Sequence, residues 1–299
     1  MDHAARGVMH VEERFAVAAD GTRIAWRSAG RGGSPLILCD GIGCAGYIWR
    51  YLFPRLAERR RVIHWHYRGH GRSERPRDLE HTTLGDCVED LFAVLDAAGE
   101  ARAVLVGHSM GVQVCLEAHR RVGARVDALV LACGAPGRTL DTFHDGPLLA
   151  AVFPFVKQLV LARPAAARWI FQKVVPTELA LQLGRYLEVN RYLVARADLE
   201  HYLADLAGVD PEVFVRTLAS AAQHDATDHL PEVDVPTLVV AGERDSFTPM
   251  ALSIRMHGEI PGSEMLVVPD GTHVAPIEQR ELVASRLELF LTERVPAAG

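Results

Sequence analysis

Gly107-His108-Ser109-Met110-Gly111 constrains this chain more than any other stretch. Ahead of it, Ala103-Val104-Leu105-Val106 is a short apolar run that reads as a buried parallel strand. Behind it, Val112 to His119 reads as a helix packed on that strand. A serine at a strand-to-helix turn, with glycine two residues away on each side, has the pattern of a nucleophile elbow. Such a turn is so tight that side chains at both flanking positions would strike neighbouring backbone, so both are reduced to hydrogen. The serine hydroxyl is left exposed on a sharp corner, at a helix N-terminus whose free N–H groups favour developing negative charge. The five-residue pattern also arises by chance in a chain with 25 glycines. Its weight therefore rests on the flanking strand and helix, and on whether the rest of the chain supplies partners.

Taken in order, the chain alternates strand and helix. Arg14 to Ser28 reads as a hairpin about Asp20-Gly21. Pro35 to Cys39 reads as a third, buried strand that ends in the glycine-rich loop Asp40 to Gly46. A helix carrying Trp49, Leu52, Leu56 and Ala57 follows, then a strand over Arg61–Trp65 and the polar turn Arg68-Gly69-His70-Gly71-Arg72-Ser73. Thr83 to Ala98 has the apolar spacing of an amphipathic helix. After the serine strand and helix, Val126 to Cys133 reads as a strand. Residues 138–232 then carry helical patterns and no convincing strand, with Arg185 to Leu206 the clearest helix. Strand–helix alternation resumes at Val235–Gly242, with a helix over Met250–Glu259, a strand over Glu264–Val268 and a last helix over Ile277–Glu293. This order predicts an α/β fold with a mostly parallel, doubly wound sheet, and an inserted helical lid. The expected division is 1–137 and 233–299 for the two parts of the core and 138–232 for the lid.

Composition removes several classes of function. A net charge of −6, with no basic run beyond Arg59-Arg60-Arg61, argues against nucleic acid as a partner. The longest apolar stretch, Pro147 to Ala162, is too short to span a bilayer and carries Lys157, so no stable membrane insertion is expected. Met1 to Gly7 has no apolar run of the secretory kind, which points to the cytoplasm. The cysteines at 39, 44, 87, 115 and 133 lack metal-ligand spacing and read as buried free thiols.

In open α/β sheets ligands sit beyond the carboxyl ends of the strands, so the chemistry is sought there. A serine hydroxyl needs a base, and the base needs an orienting group. Among 14 histidines, His273 is best placed, in the loop after the last strand. Asp245 lies in the loop after the preceding strand, where a carboxylate can accept from an imidazole. Asp245 also fits a helix N-cap, with Glu243 as the competing acid. Ser109, Asp245 and His273 follow the chain order of α/β-hydrolase triads.

At this point the sequence resembles the α/β-hydrolase fold superfamily, in its serine esterase and lipase-like branch. The motifs that carry the resemblance are Gly107–Gly111, Arg68–Ser73, Gly242-Glu243-Arg244-Asp245 with Pro249, and Gly271-Thr272-His273. The resemblance covers nearly the whole chain outside the lid. The resemblance implies catalysis by Ser109, Asp245 and His273, with no metal or organic cofactor. Oxyanion stabilisation needs preorganised donors. One is expected from the backbone N–H of Met110, and the resemblance points to Ile42, after Gly41, for the other. It also implies that His70 and His108 flank the site as structural neighbours. A serine nucleophile argues against the aspartate-based dehalogenase and epoxide hydrolase branches.

Two positions depart from the family. The loop that commonly begins His-Gly is Asp40-Gly41 here, and the acidic residue common two before Arg68 is His66. Either Asp40 and His66 form an exchanged structural contact, or Asp40 meets a polar group of the substrate. Cys44 is a further pocket candidate, or a plain small residue. Within the lid, Leu148 to Val156 includes Phe153 and Phe155, which either roof an apolar pocket or pack the lid on the core. The expected partner is a small molecule, an ester with an apolar acyl or aromatic part. Lactones, thioesters, carbon–carbon bond cleavage and perhydrolysis use the same triad, and a ligand receptor is the reading from a different class. Oligomeric state is not legible.

Overall fold

A computed structural model of the chain describes residues 10–141, 146, 148–187 and 189–295. Met1–Gly7 and Pro147, which bear on the expectations above, lie outside the described residues. Eight strands form one sheet in the order β1-β2-β4-β3-β5-β6-β7-β8: β1 (Glu12–Val17), β2 (Arg23–Ala29), β3 (Leu36–Cys39), β4 (Val62–Trp65), β5 (Ala103–His108), β6 (Val126–Ala132), β7 (Thr237–Gly242) and β8 (Glu264–Val268). β1 and β2 pair antiparallel, as do β2 and β4; every later pairing is parallel. The hairpin turn is held by Asp20, whose Oδ1 accepts from Thr22 N–H at 2.9 Å.

Helices cover both faces, which is why the central strands are buried on both sides. On one face α1 (Leu52–Ala57), α10 (Ala275–Glu278) and α11 (Arg280–Arg294) pack on Leu36, Leu38, Val104, Val106, Leu238 and Val240. On the other, α2 (Leu84–Ala97), α3 (Met110–Val122) and α9 (Met250–Glu259) pack on Ile37, Leu105, Leu129, Leu131 and Val239. Successive strand residues thus supply opposite cores, as a period of two requires. α2 begins at a capping box: Thr83 Oγ1 accepts from Asp86 N–H at 3.1 Å, and Asp86 Oδ2 accepts from Thr83 N–H at 2.8 Å.

Between β6 and β7 the chain leaves the sheet and forms α4 (Leu148–Ala162), α5 (Pro164–Val174), α6 (Glu178–Leu187), α7 (Arg196–Gly208) and α8 (Pro211–Gln223). Phe153 and Val160 of α4 pack on Val215 and Ala219 of α8. The single helix expected over Arg185–Leu206 is instead two, with residues 189–195 non-helical. Tertiary bonds account for the break. Asn190 N–H donates to Glu278 Oε1 at 2.7 Å, Asn190 Nδ2 donates to the Asp270 carbonyl at 3.2 Å, and the Asn190 carbonyl closes a tight turn. The last helix is likewise divided, at Gln279 (φ −118°, ψ 46°).

The sheet order fixes where a site can form. From β3 the chain steps outward to β4, then crosses back to β5 on the other side of β3. The strand order therefore reverses between β3 and β5, and the loops leaving these strands meet at the crevice.

Candidate active site

Ser109 occupies that crevice. It caps α3 with φ 55° and ψ −119°, a left-handed conformation rarely adopted by a residue with a side chain. Its amide donates to the Ala132 carbonyl at 3.1 Å and its carbonyl accepts from Val112 N–H at 3.0 Å, which secures the corner. A Cβ at Gly107 would overlap the Gly111 carbonyl, and one at Gly111 would overlap the Cys39 carbonyl. The glycine spacing of the motif is thus a packing requirement of this turn.

Asp245 and His273 meet from the ends of β7 and β8. His273 Nδ1 lies 3.0 Å from Asp245 Oδ2 and 3.2 Å from Oδ1. Asp245 also accepts from Phe247 N–H, Thr248 N–H and Thr248 Oγ1, each at 2.9 Å. Burial pushes the Asp245 carboxyl up, but the His273 charge and these donors outweigh it and hold the group below the usual carboxylate range. An ionised acceptor at Nδ1 fixes the imidazole tautomer and leaves Nε2 as the basic nitrogen. The Phe247 ring stacks on His273, with centroids 4.7 Å apart and planes 16° apart. Ser109 and His273 line one cavity, although no hydrogen bond joins the serine hydroxyl to His273 among the described residues. Such bonds are commonly long before substrate binds.

His108, beside the serine, donates from Nε2 to the His273 carbonyl at 2.8 Å. Burial, with His273 beside it, pushes its pKa down to about 3, so it stays neutral and steadies the loop that carries His273. Met110 is the first residue of α3 and its N–H has no intrahelical acceptor. Ile42 stands opposite in the loop after β3, and both residues line the cavity. The loop runs close to the serine, for a Cβ on Gly41 would come within 3.1 Å of Ser109 Cβ.

The cavity has a volume of about 340 Å³. Ile42, Cys44, Tyr47, Met110, Phe247 and Val274 line it from the core; Leu149, Leu199, Tyr202, Leu203, Leu206, Phe214 and Leu218 line it from the inserted helices. Polar groups are few. Gln113, one helical turn after Ser109, donates from Nε2 to the Ala221 carbonyl at 2.8 Å. Its Oε1 is buried without a partner among the described residues.

Gly41, Cys44 and His108 line the cavity, whereas three other pocket candidates do not. Asp40 is buried behind the loop, with Oδ2 2.8 Å from His64 Nε2. The contact anticipated for His66 is made by His64 instead. His66 lies past the end of β4, where its Nδ1 accepts from Arg72 N–H at 2.9 Å. Phe153 faces α8 within the insertion, and Phe155 is 77% exposed on the outer side of α4. Along a helix, residues two apart lie about 200° round from one another, so these two cannot share a face.

Sequence reasoning missed Phe247 and Thr248. The Asp-x-x-Thr spacing in Asp245–Thr248 was a usable sign, since short polar side chains three apart bond across a turn. Gln113 carried a signal too, four residues from Ser109 on one helix face. Among the described residues no group of three or more His, Cys, Asp or Glu side chains is arranged to hold a metal.

Comparison with known proteins agrees with this geometry. Residues 34–279 match the model of the alpha/beta hydrolase fold family. A relative from Pseudomonas putida, the dihydrolipoyllysine-residue acetyltransferase component of the acetoin cleaving system, is 31% identical over 274 residues. That alignment takes in 88% of this chain, which spans 64% of the relative's length. Among solved structures, an esterase from Thermogutta terrifontis superposes with a TM-score of 0.75 at 23% identity, over 95% of this chain and 99% of that one. The enol-lactonase of Burkholderia xenovorans does so with a TM-score of 0.70 at 20% identity, over 94% and 100%. The sheet, the crossover and the matched residues lead to one assignment: the chain belongs to the α/β-hydrolase fold family and is an enzyme of the hydrolase class.

Proposed function

We propose that this hydrolase cleaves carboxylic esters with an apolar acyl or aromatic part, through an acyl intermediate on Ser109. The observation that carries the reading is the pair of His273 with the buried Asp245, sharing a mostly apolar cavity with a strained, helix-capping serine. His273 Nε2 takes the Ser109 proton as Oγ attacks the ester carbonyl. Asp245 stabilises the imidazolium that forms. The N–H groups of Met110 and Ile42 receive the oxyanion, and each such donor is typically worth about 3–4 kcal/mol of transition-state stabilisation. His273 then protonates the leaving alcohol, and in the second half activates a water that releases the acid. The inserted helices act as a lid over residues 138–232, and their leucines and Phe214 receive the acyl chain.

Labelling with a fluorophosphonate tests the nucleophile directly. The wild type should be modified at Ser109, and Ser109→Ala should escape labelling and lose at least about four orders of magnitude in ester turnover. A panel of esters, lactones and thioesters of increasing acyl length then identifies the substrate class. A folded wild type that is neither labelled nor active on the panel would overturn the reading in favour of a binding protein.

A further inference from the structure

The outer surface of the insertion is apolar where a solvated face would be polar. On α4, Leu148, Val152, Phe155 and Leu159 recur at one helical spacing and all face outward, with Leu148 76%, Phe155 77% and Leu159 63% exposed. Phe153 and Val160 of the same helix face inward. α4 is therefore apolar on both sides while buried on only one. On α5, Trp169 is 62% exposed, beside Ile170 and not far from Val174. Contiguous exposed apolar surface of this kind marks an interaction site.

Charge says what the surface meets. From Gly146 to Thr177 the sequence has no Asp or Glu, whereas Lys157, Arg163, Arg168 and Lys173 all fall within it. This basic segment belongs to a chain of net charge −6. A two-fold contact between copies would set the segment against itself, cation facing cation. An anionic lipid surface matches both its apolar side chains and its charge. The chain bends by 108° between α4 and α5, and among the described residues no single helix is long and apolar enough to cross a membrane.

We propose that the α4–α5 elbow is a peripheral docking surface for anionic lipid bilayers, with Phe155 and Trp169 entering the interface and Arg163 and Lys173 meeting the head groups. Arg168 already pairs with Asp210 at 2.7 Å. Leu149, also on α4, lines the cavity, so the docked surface lies one helix away from the site.

Of the four tryptophans, Trp26, Trp49 and Trp65 are buried, which leaves Trp169 as the built-in reporter. The full chain is mixed with vesicles of equimolar phosphatidylcholine and phosphatidylglycerol, or of phosphatidylcholine alone. Co-sedimentation and blue-shifted fluorescence are expected with the anionic vesicles, both weakening as salt is raised. Phe155→Asp with Trp169→Asp should lower the partition coefficient at least about ten-fold by sedimentation. Arg163→Gln and Lys173→Gln should each lower it on the order of five-fold. All four positions are on the surface, and unchanged fluorophosphonate labelling of the variants shows that they fold. Equal binding to both vesicle types overturns the charge-matched assignment. No vesicle binding overturns the proposal, as does a concentration-dependent dimer, lost in Phe155→Asp, that occupies the surface instead.

Discussion

Asp40 and Asp245 are both buried carboxylates facing a histidine, yet their environments drive them apart. Asp245 has backbone and hydroxyl donors that hold its charge, whereas Asp40 is pushed up to about 7 by burial, which the positive groups around it only partly offset. Burial, reinforced by Arg27, keeps its partner His64 below the usual imidazole range, so a neutral ring faces the carboxyl. The consequence for stability has a definite sign. A carboxyl whose pKa is raised by folding contributes fully below its unfolded value and loses that contribution as pH rises through the folded one. Wild-type stability relative to Asp40→Asn, which cannot ionise, should therefore fall between pH 3.8 and about 7. Thermal unfolding of both proteins across that range checks it, and a constant gap in Tm would refute the assignment. Ester turnover should change only a few-fold, since Asp40 lies outside the cavity. The choice of His64 over His66 was not legible in the sequence. Residues two apart on a strand share a face, and only the end of β4 at Trp65 separates them.

Among the elements, the loop after β4 shows how one side chain can position several. Arg68 donates from Nε to Asp90 Oδ2 at 2.8 Å and from Nη2 to Oδ1 at 2.6 Å, a two-pronged pair with both residues buried. Its Nη1 reaches the His81 carbonyl at 2.7 Å and Asp20 Oδ2 at 3.1 Å, tying α2 to the β1–β2 turn. Arg68→Met leaves the Asp90 carboxylate buried without its partner and should cost about 3–5 kcal/mol, read from urea unfolding. Fluorophosphonate reactivity per folded molecule should persist, because nothing in this cluster touches Ser109. Elements like α2 were legible because their signal is local, a regular apolar period. The inserted helices were less so. α4 is apolar around most of its surface, so periodicity alone could not assign its faces to cavity or solvent. The break before α7 depends on bonds from Asn190 to Glu278 and Asp270, some 80 to 88 positions away, which no local pattern reveals.

For the whole molecule, the proposed function places chemistry and selectivity on different parts of the chain. Serine, histidine and carboxylate stand on the carboxyl ends of sheet strands, while much of the cavity wall is supplied by helices between β6 and β7. The motifs were readable because an elbow or a strand-end loop leaves its mark in a few adjacent residues. The wall was not, because Leu149, Leu199, Phe214 and Leu218 meet only through the packing of α4, α7 and α8. This separation makes a test of the lid possible without disturbing the chemistry. Leu218, half-buried on α8, faces the cavity, and Leu218→Trp would fill part of its 340 Å³. A single methylene misfit in an apolar pocket typically changes kcat/KM by about 10-fold or more. Activity on long-acyl esters should therefore fall by at least about ten-fold relative to acetyl esters. The rate of Ser109 labelling by a small fluorophosphonate should hold steady, since the Asp245–His273 pair is untouched. Equal losses on short and long esters would place the acyl group elsewhere, and a parallel loss of labelling would mean that the inserted helices position the serine itself.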